Sequence, residues 1–251
     1  MILQPSTKFA PRSAAAFKLA YDAGFRNAEF YLDRDLIEDW GNVVTTANDF
    51  AMGYAMHFPN RGEISTQHLQ NVVDMYYALE CSALVIHQPM FDLYGEKLYS
   101  IDSDIRLAIE NHDLTTDAQF ERWADESQWL TLDVEHMWIY TVKNRSLKRL
   151  VNYLDWFLDE FSEKLAHVHL PGYQPGYKVH RPQYCSRKMV MQVWTRLANI
   201  DYRGLIVSEV ANKYQNPEEL QMDMLMYRNW ERRYIDRNCS EARVEQKLTA
   251  V

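Results

Sequence analysis

IRLAIENHDLTTDAQFERWADESQWLTLDVEH, residues 105–136, carries the pattern that decides the fold. Two short apolar runs flank a helical segment, 115–127, so the stretch reads strand, helix, strand. The first run ends at Glu110. The second ends at Asp133 and is followed by Glu135 and His136. Buried charge at a strand end is costly unless it is paired or bound to metal. The stretch therefore raises a fold question and a chemical one together.

Outward from it, the alternation repeats. Apolar runs at 1–4, 25–32, 53–58, 83–89, 165–172 and 204–210 read as further strands. Segments 11–24, 35–50, 65–80, 146–164, 187–200 and 217–235 read as helices. Pro11 near the start and Gly24 past the end bound the first helix. About eight strand-then-helix units in 251 residues predict an α/β protein, a single (β/α)8 TIM barrel over residues 1–237. A doubly wound open sheet is the competing arrangement. It would favour a glycine-rich phosphate turn, and no such pattern is present. The unit between His87 and Glu110 is thin, with only 91–101 available as a short or irregular helix. Residues 238–251 are polar and are expected to fray as a C-terminal tail.

Composition narrows the class. Hydrophobic residues make up 47% of the chain, enough for a sizeable core, yet no 18-residue apolar run offers a membrane span. The N-terminus MILQPSTKFAPRS lacks the basic-then-apolar order of a signal peptide. Cys81, Cys185 and Cys239 are too few and too scattered for a disulfide framework. A cytoplasmic protein is expected. A net charge of −8 without a basic block argues against nucleic acid as the partner.

Polar residues recur at the C-terminal ends of strands: Glu29, His57, His87, Glu110, Asp133, His169 and Glu209. Barrel active sites lie on that face. Glu110, Asp133 and Glu209 would crowd three carboxylates into one space, and like charges at close range oppose ionisation. One divalent cation resolves this. Three carboxylates and an imidazole suit Mn, Mg, Co or Zn rather than a thiolate-seeking metal. Parity refines the set, since alternate strand residues share a face. His169 lies nearer the mouth than His167, which reads as a deeper, hydrogen-bonded core histidine. Asp133 and His136 converge only if the chain leaves the strand soon after Asp133, and parity alone pairs Asp133 with Glu135. The loop 172–187 is rich in Pro, Gly and Tyr. In it, Lys178, His180, Arg181 and Arg187 could hold a phosphate or carboxylate. Met222, Met224, Met226, Tyr227 and Trp230 read as packing or a subunit contact, so a homo-oligomer is possible.

These residues together resemble the xylose isomerase-like TIM barrels, the superfamily of sugar isomerases, epimerases and endonuclease IV-like proteins. AFKLAYDAGFRNAEF, MHFPN, VIHQP, AIENH, LDVEH, HVHLPG and GLIVSEV resemble its strands in order. The resemblance implies that Glu110, Asp133, His169 and Glu209 bind one divalent metal, with Glu110 and Glu209 also moving protons. It favours His136 over Glu135 in the mouth. His57, His87, His136, His180, Arg181 and Glu29 then become substrate-contacting candidates. The implied reaction is isomerisation or epimerisation of a keto sugar or related polyol through an enediolate. A dehydratase or lyase on a related substrate, an endonuclease IV-like phosphodiesterase and a non-catalytic binding barrel are the alternatives. Lys178 stands where the three-metal members carry an Asp, which argues against their full cluster.

Overall fold

The apolar runs close into a parallel eight-stranded barrel in the computed structural model, which describes the backbone of residues 1–249 and side chains through residue 239. The strands are β1 (Gln4–Phe9), β2 (Asn27–Tyr31), β3 (Gly53–His57), β4 (Leu84–His87), β5 (Leu107–Glu110), β6 (Trp129–Asp133), β7 (Leu165–His169) and β8 (Leu205–Val207). Each pairs with the next, and β1 closes the ring on β8 through Gln4–Leu205 and Ser6–Val207. The helices are α1 (Ala14–Ala23), α2 (Arg34–Glu38), α3 (Trp40–Asn48), α4 (Thr66–Ala78), α5 (Gln88–Ile101), α6 (Asp117–Glu126), α7 (Val134–His136), α8 (Leu147–Phe161), α9 (Arg187–Asn199) and α10 (Pro217–Thr249).

Three expectations about these elements change. The opening strand lies at 4–9 and not at 1–4. Its residues QPSTKF are mostly polar but buried, so a search for apolar runs passes over them. The segment after His87 is a regular 14-residue helix, because Pro89 sits in its first turn, where a missing N–H costs nothing. Helical backbone also continues past Arg237 to Thr249. Residues 238–249 contain no Pro or Gly and include several good helix formers. Residues 250 and 251 lie outside the described residues.

The main core lies between the strands and the helices. Phe17, Phe30, Phe157 and Trp194 are fully buried there, and each such side chain contributes about 1.5–3 kcal/mol. The apolar run of α10 belongs mainly to this layer. Met224, Tyr227 and Trp230 are buried, while Met222 is exposed. The Tyr227 hydroxyl accepts from Leu3 N at 3.0 Å and donates to Leu3 O at 3.1 Å, fixing the last helix to the chain's start.

The loop after β7 is tied down. The Asp223 carboxylate on α10 accepts the backbone N–H of Gln183 and of Tyr184, each at 3.0 Å. Gly172 bridges Arg181, and a Cβ there would meet Pro182 O at 1.9 Å, so only glycine fits. No helix among the described residues is long and apolar enough to cross a membrane.

Candidate metal centre at the barrel mouth

β5 and β6 deliver the Glu110 and Asp133 carboxylates side by side. Asn111 clamps them together: its amide donates to Asp133 O at 2.9 Å, and its carbonyl accepts from Asp133 N at 2.5 Å. The strand stops at Asp133, and α7 begins at once. Asp133 Oδ1 caps that turn by accepting from His136 N at 2.7 Å. One helical turn replaces strand parity, and so the His136 ring comes back to the mouth. Its Nδ1 lies 3.1 Å from Glu110 Oε1 and 3.7 Å from Asp133 Oδ2. Glu135 points elsewhere. It is buried and accepts from the backbone N–H of His180 at 3.0 Å.

His169 stands opposite. Its Nδ1 is 2.9 Å from Glu209 Oε2, 3.4 Å from Glu110 Oε2 and 3.8 Å from Asp133 Oδ2. Its Nε2 donates to Glu29 Oε2 at 2.9 Å. That bond keeps a proton on Nε2 and leaves Nδ1, the nitrogen that can trade its proton for a metal, facing three carboxylates. It is the arrangement in which a carboxylate orients a ligating histidine. Glu29 is fully buried behind His169, also 2.6 Å from His167 Nε2. His167 is thus the deep core histidine that parity indicates.

Lys8, at the mouth end of β1, is the residue the sequence reading passed over. Its ammonium lies 3.0 Å from Glu29 Oε1 and 2.7 Å from Glu209 Oε1. The chain turns sharply at Glu209, whose φ of 38° is left-handed, and this aims the carboxylate inward just after β8 ends. His57 and His87 face the other side of the centre, with Nε2 atoms 3.3 and 3.2 Å from Glu110 Oε2. The His57 Nδ1–H donates to Phe58 O at 2.8 Å, so its Nε2 also presents a lone pair to a carboxylate oxygen. His112, likewise not singled out in the sequence, stacks on His87 with ring centres 4.7 Å apart.

The charges respond to this crowding. Burial disfavours ionised Glu110 and Glu209, but the His169 imidazolium and, for Glu209, Lys8 outweigh it and hold both well below the usual carboxylate range. Burial and the nearby Glu110 push Asp133 up, although His136 draws it down. Burial opposes protonation of His169 and His136, yet the carboxylates win. Glu209 and Glu29 hold His169 well above the ordinary histidine range, and Asp133 and Glu110 raise His136 to about 10. Burial and Asp133 push Glu135 up to about 8.

A divalent cation fits this donor set. Asp133 Oδ2, Glu209 Oε2, His169 Nδ1 and His136 Nδ1 are buried and have no hydrogen-bond partner, although they face one another. Glu110, Asp133 and His169 offer ligand atoms within 4.8 Å of one another, and so do His57, His87 and Glu110. Beside the centre opens a cavity of about 420 Å³, lined by Lys8, Tyr31, Asn60, His180 and Glu209 among others. Arg181 stacks on Tyr177 at 4.8 Å, and Lys178 is exposed.

No protein-family model and no curated protein sequence matches the chain. Solved structures do. The TTHB071 protein from Thermus thermophilus, soaked with ZnCl2, is 17% identical over 89% of this chain and 97% of its own, with a TM-score of 0.60. D-allulose 3-epimerase from Methylomonas sp., in complex with D-allulose, is 18% identical over 90% of each chain, with a TM-score of 0.56. An L-ribulose 3-epimerase is 15% identical over 98% of this chain and 97% of its own, with a TM-score of 0.51. The barrel fold is common to all of them.

Proposed function

We propose that the protein is a divalent-metal-dependent isomerase or epimerase acting on a keto sugar or a related hydroxy-keto compound. The observation that carries this reading is the orientation of His169. Glu29 takes its Nε2–H, so Nδ1 is the nitrogen that faces Glu110, Asp133 and Glu209 in a buried site. A divalent ion would take over from the imidazole protons that balance these carboxylates. Two of the structures with this fold belong to ketose epimerases, which agrees with the reading.

Glu110, Asp133, His169 and Glu209 would hold the ion, whose chemistry there is Lewis-acid polarisation of a carbonyl. Glu110 and Glu209 enter the site from opposite sides. One carboxylate oxygen takes the proton α to the carbonyl, and a carboxylate returns it to the same or the neighbouring carbon. Lys8 occupies Glu209 Oε1, so Oε2 is the oxygen that faces the ion site. His136 and His180 would hold substrate hydroxyls. Exchange of solvent deuterium into a panel of keto sugars tests the reaction. Exchange that depends on Mn, Mg, Co or Zn and is lost in Glu110→Gln and Glu209→Gln supports it, and its absence across the panel rejects it.

One observation favours a second reading. The His57, His87 and Glu110 set could take another ion, which suits an endonuclease IV-like phosphodiesterase. Two or more ions per chain, with cleavage of an abasic-site oligonucleotide, would move the assignment there.

A further inference from the structure

Glu29, His167 and His169 form a third set of potential ligands, with atoms within 4.8 Å of one another, behind the proposed centre. Glu209 adjoins it through His169. The two carboxylates with the His167 imidazole are enough to hold a divalent ion. A cation is already present there. The Lys8 ammonium lies between Glu29 Oε1 and Glu209 Oε1, at 3.0 and 2.7 Å, on a side chain only about one-tenth exposed.

We propose that Lys8 is a built-in counter-cation that excludes a divalent ion from the Glu29–Glu209 side of the barrel and keeps Glu209 a one-oxygen donor toward the front. The inference rests on the metal-binding reading above and concerns a positioning residue, not a ligand. A lysine ammonium satisfies carboxylates by point charge and three donors. It balances one of the two negative charges of Glu29 and Glu209 and leaves the other for the front ion. With Lys8 removed, the Glu29 and Glu209 carboxylates lose the ammonium between them, and a divalent ion can take its place.

The test counts ions. Wild type, Lys8→Arg, Lys8→Met and the Lys8→Met/Glu29→Gln double variant are dialysed against Mn2+, and bound manganese per chain is measured by mass spectrometry. The expected result is one more ion in Lys8→Met than in wild type, and the wild-type count in Lys8→Arg and in the double variant. Thermal melting with and without Mn2+ gives a second readout, in which Lys8→Met is raised by the ion more than wild type is. An unchanged count in folded Lys8→Met overturns the proposal, and so does a Lys8→Met protein that Mn2+ fails to stabilise beyond wild type. Absence of manganese from wild type would sink the metal-binding reading instead. The difference between Lys8→Met and wild type still decides the role of Lys8.

Discussion

On the β1, β2 and β8 side of the mouth, Glu29 and Glu209 share a single lysine. On the β3, β4 and β6 side, Glu110 is ringed by His57, His87 and His136. The first side adds a permanent cation, Lys8, to the imidazoles of His167 and His169. The second answers negative charge with imidazoles, which can exchange a proton for a metal or a substrate. The difference teaches that one barrel rim can hold a lysine-braced wall and a histidine-lined wall a few ångströms apart.

The strongest way to break this comparison is to remove the carboxylate at the centre of the histidine ring. Glu110→Gln is expected to lower deuterium exchange roughly 100- to 10 000-fold, the usual worth of a positioned proton-transfer group. A smaller loss would show that the histidine side is not the reactive one. The lysine-braced side is probed by Glu29→Gln, which keeps the shape but weakens the hold on His169 Nε2. Divalent-ion affinity, measured by titration calorimetry, should fall about 10- to 100-fold, as for other outer partners of ligating histidines. Unchanged affinity would mean that Glu29 does not orient His169.

A pH series on chelator-treated protein sharpens the contrast. His136, raised from 6.5 to about 10, contributes stability below pH 6.5 that is lost as pH rises through about 10. Glu110 and Glu209 lie below 4.5, so their contribution is present above that pH and is lost as pH falls beneath it. The melting temperature should therefore peak between about pH 4.5 and 6.5 and decline toward pH 10. A melting temperature that rises from pH 6.5 to 10 would contradict the charge assignment of His136.

The smallest effect concerns the tether of the loop after β7. Asp223→Asn replaces one of the two oxygens that accept from Gln183 and Tyr184 with an NH2 donor and should cost about 1–3 kcal/mol, read as a lowered melting temperature. Burial pushes the Asp223 carboxyl up to about 7, so its folded form favours the proton and loses stability as pH rises from 3.8 through 7. The variant should lack that slope.

The sequence made one side of this rim far more legible than the other. Glu110 and Asp133 end apolar strands, and apolar strands are what periodicity detects. The family resemblance chose His136 over Glu135, and the structure supplies the reason in a single helical turn that begins at Asp133. Lys8 stayed hidden because β1 is built of QPSTKF, whose burial comes from its place in a closed ring and not from its own hydropathy. The inward aim of Glu209 was equally invisible, since a left-handed glutamate carries no local signature. Its position at the end of β8 was readable, but the backbone turn that orients it is a tertiary effect.

Lys8 and Glu209 are separated by 201 positions in the chain, and the barrel closes where β1 meets β8. The pair can form only when the last strand has docked against the first. Loop closure over such a span is slow and comes late in folding. Glu209, the last donor of the proposed front set, and Lys8, which holds its other oxygen, therefore reach the mouth together, when the ring closes.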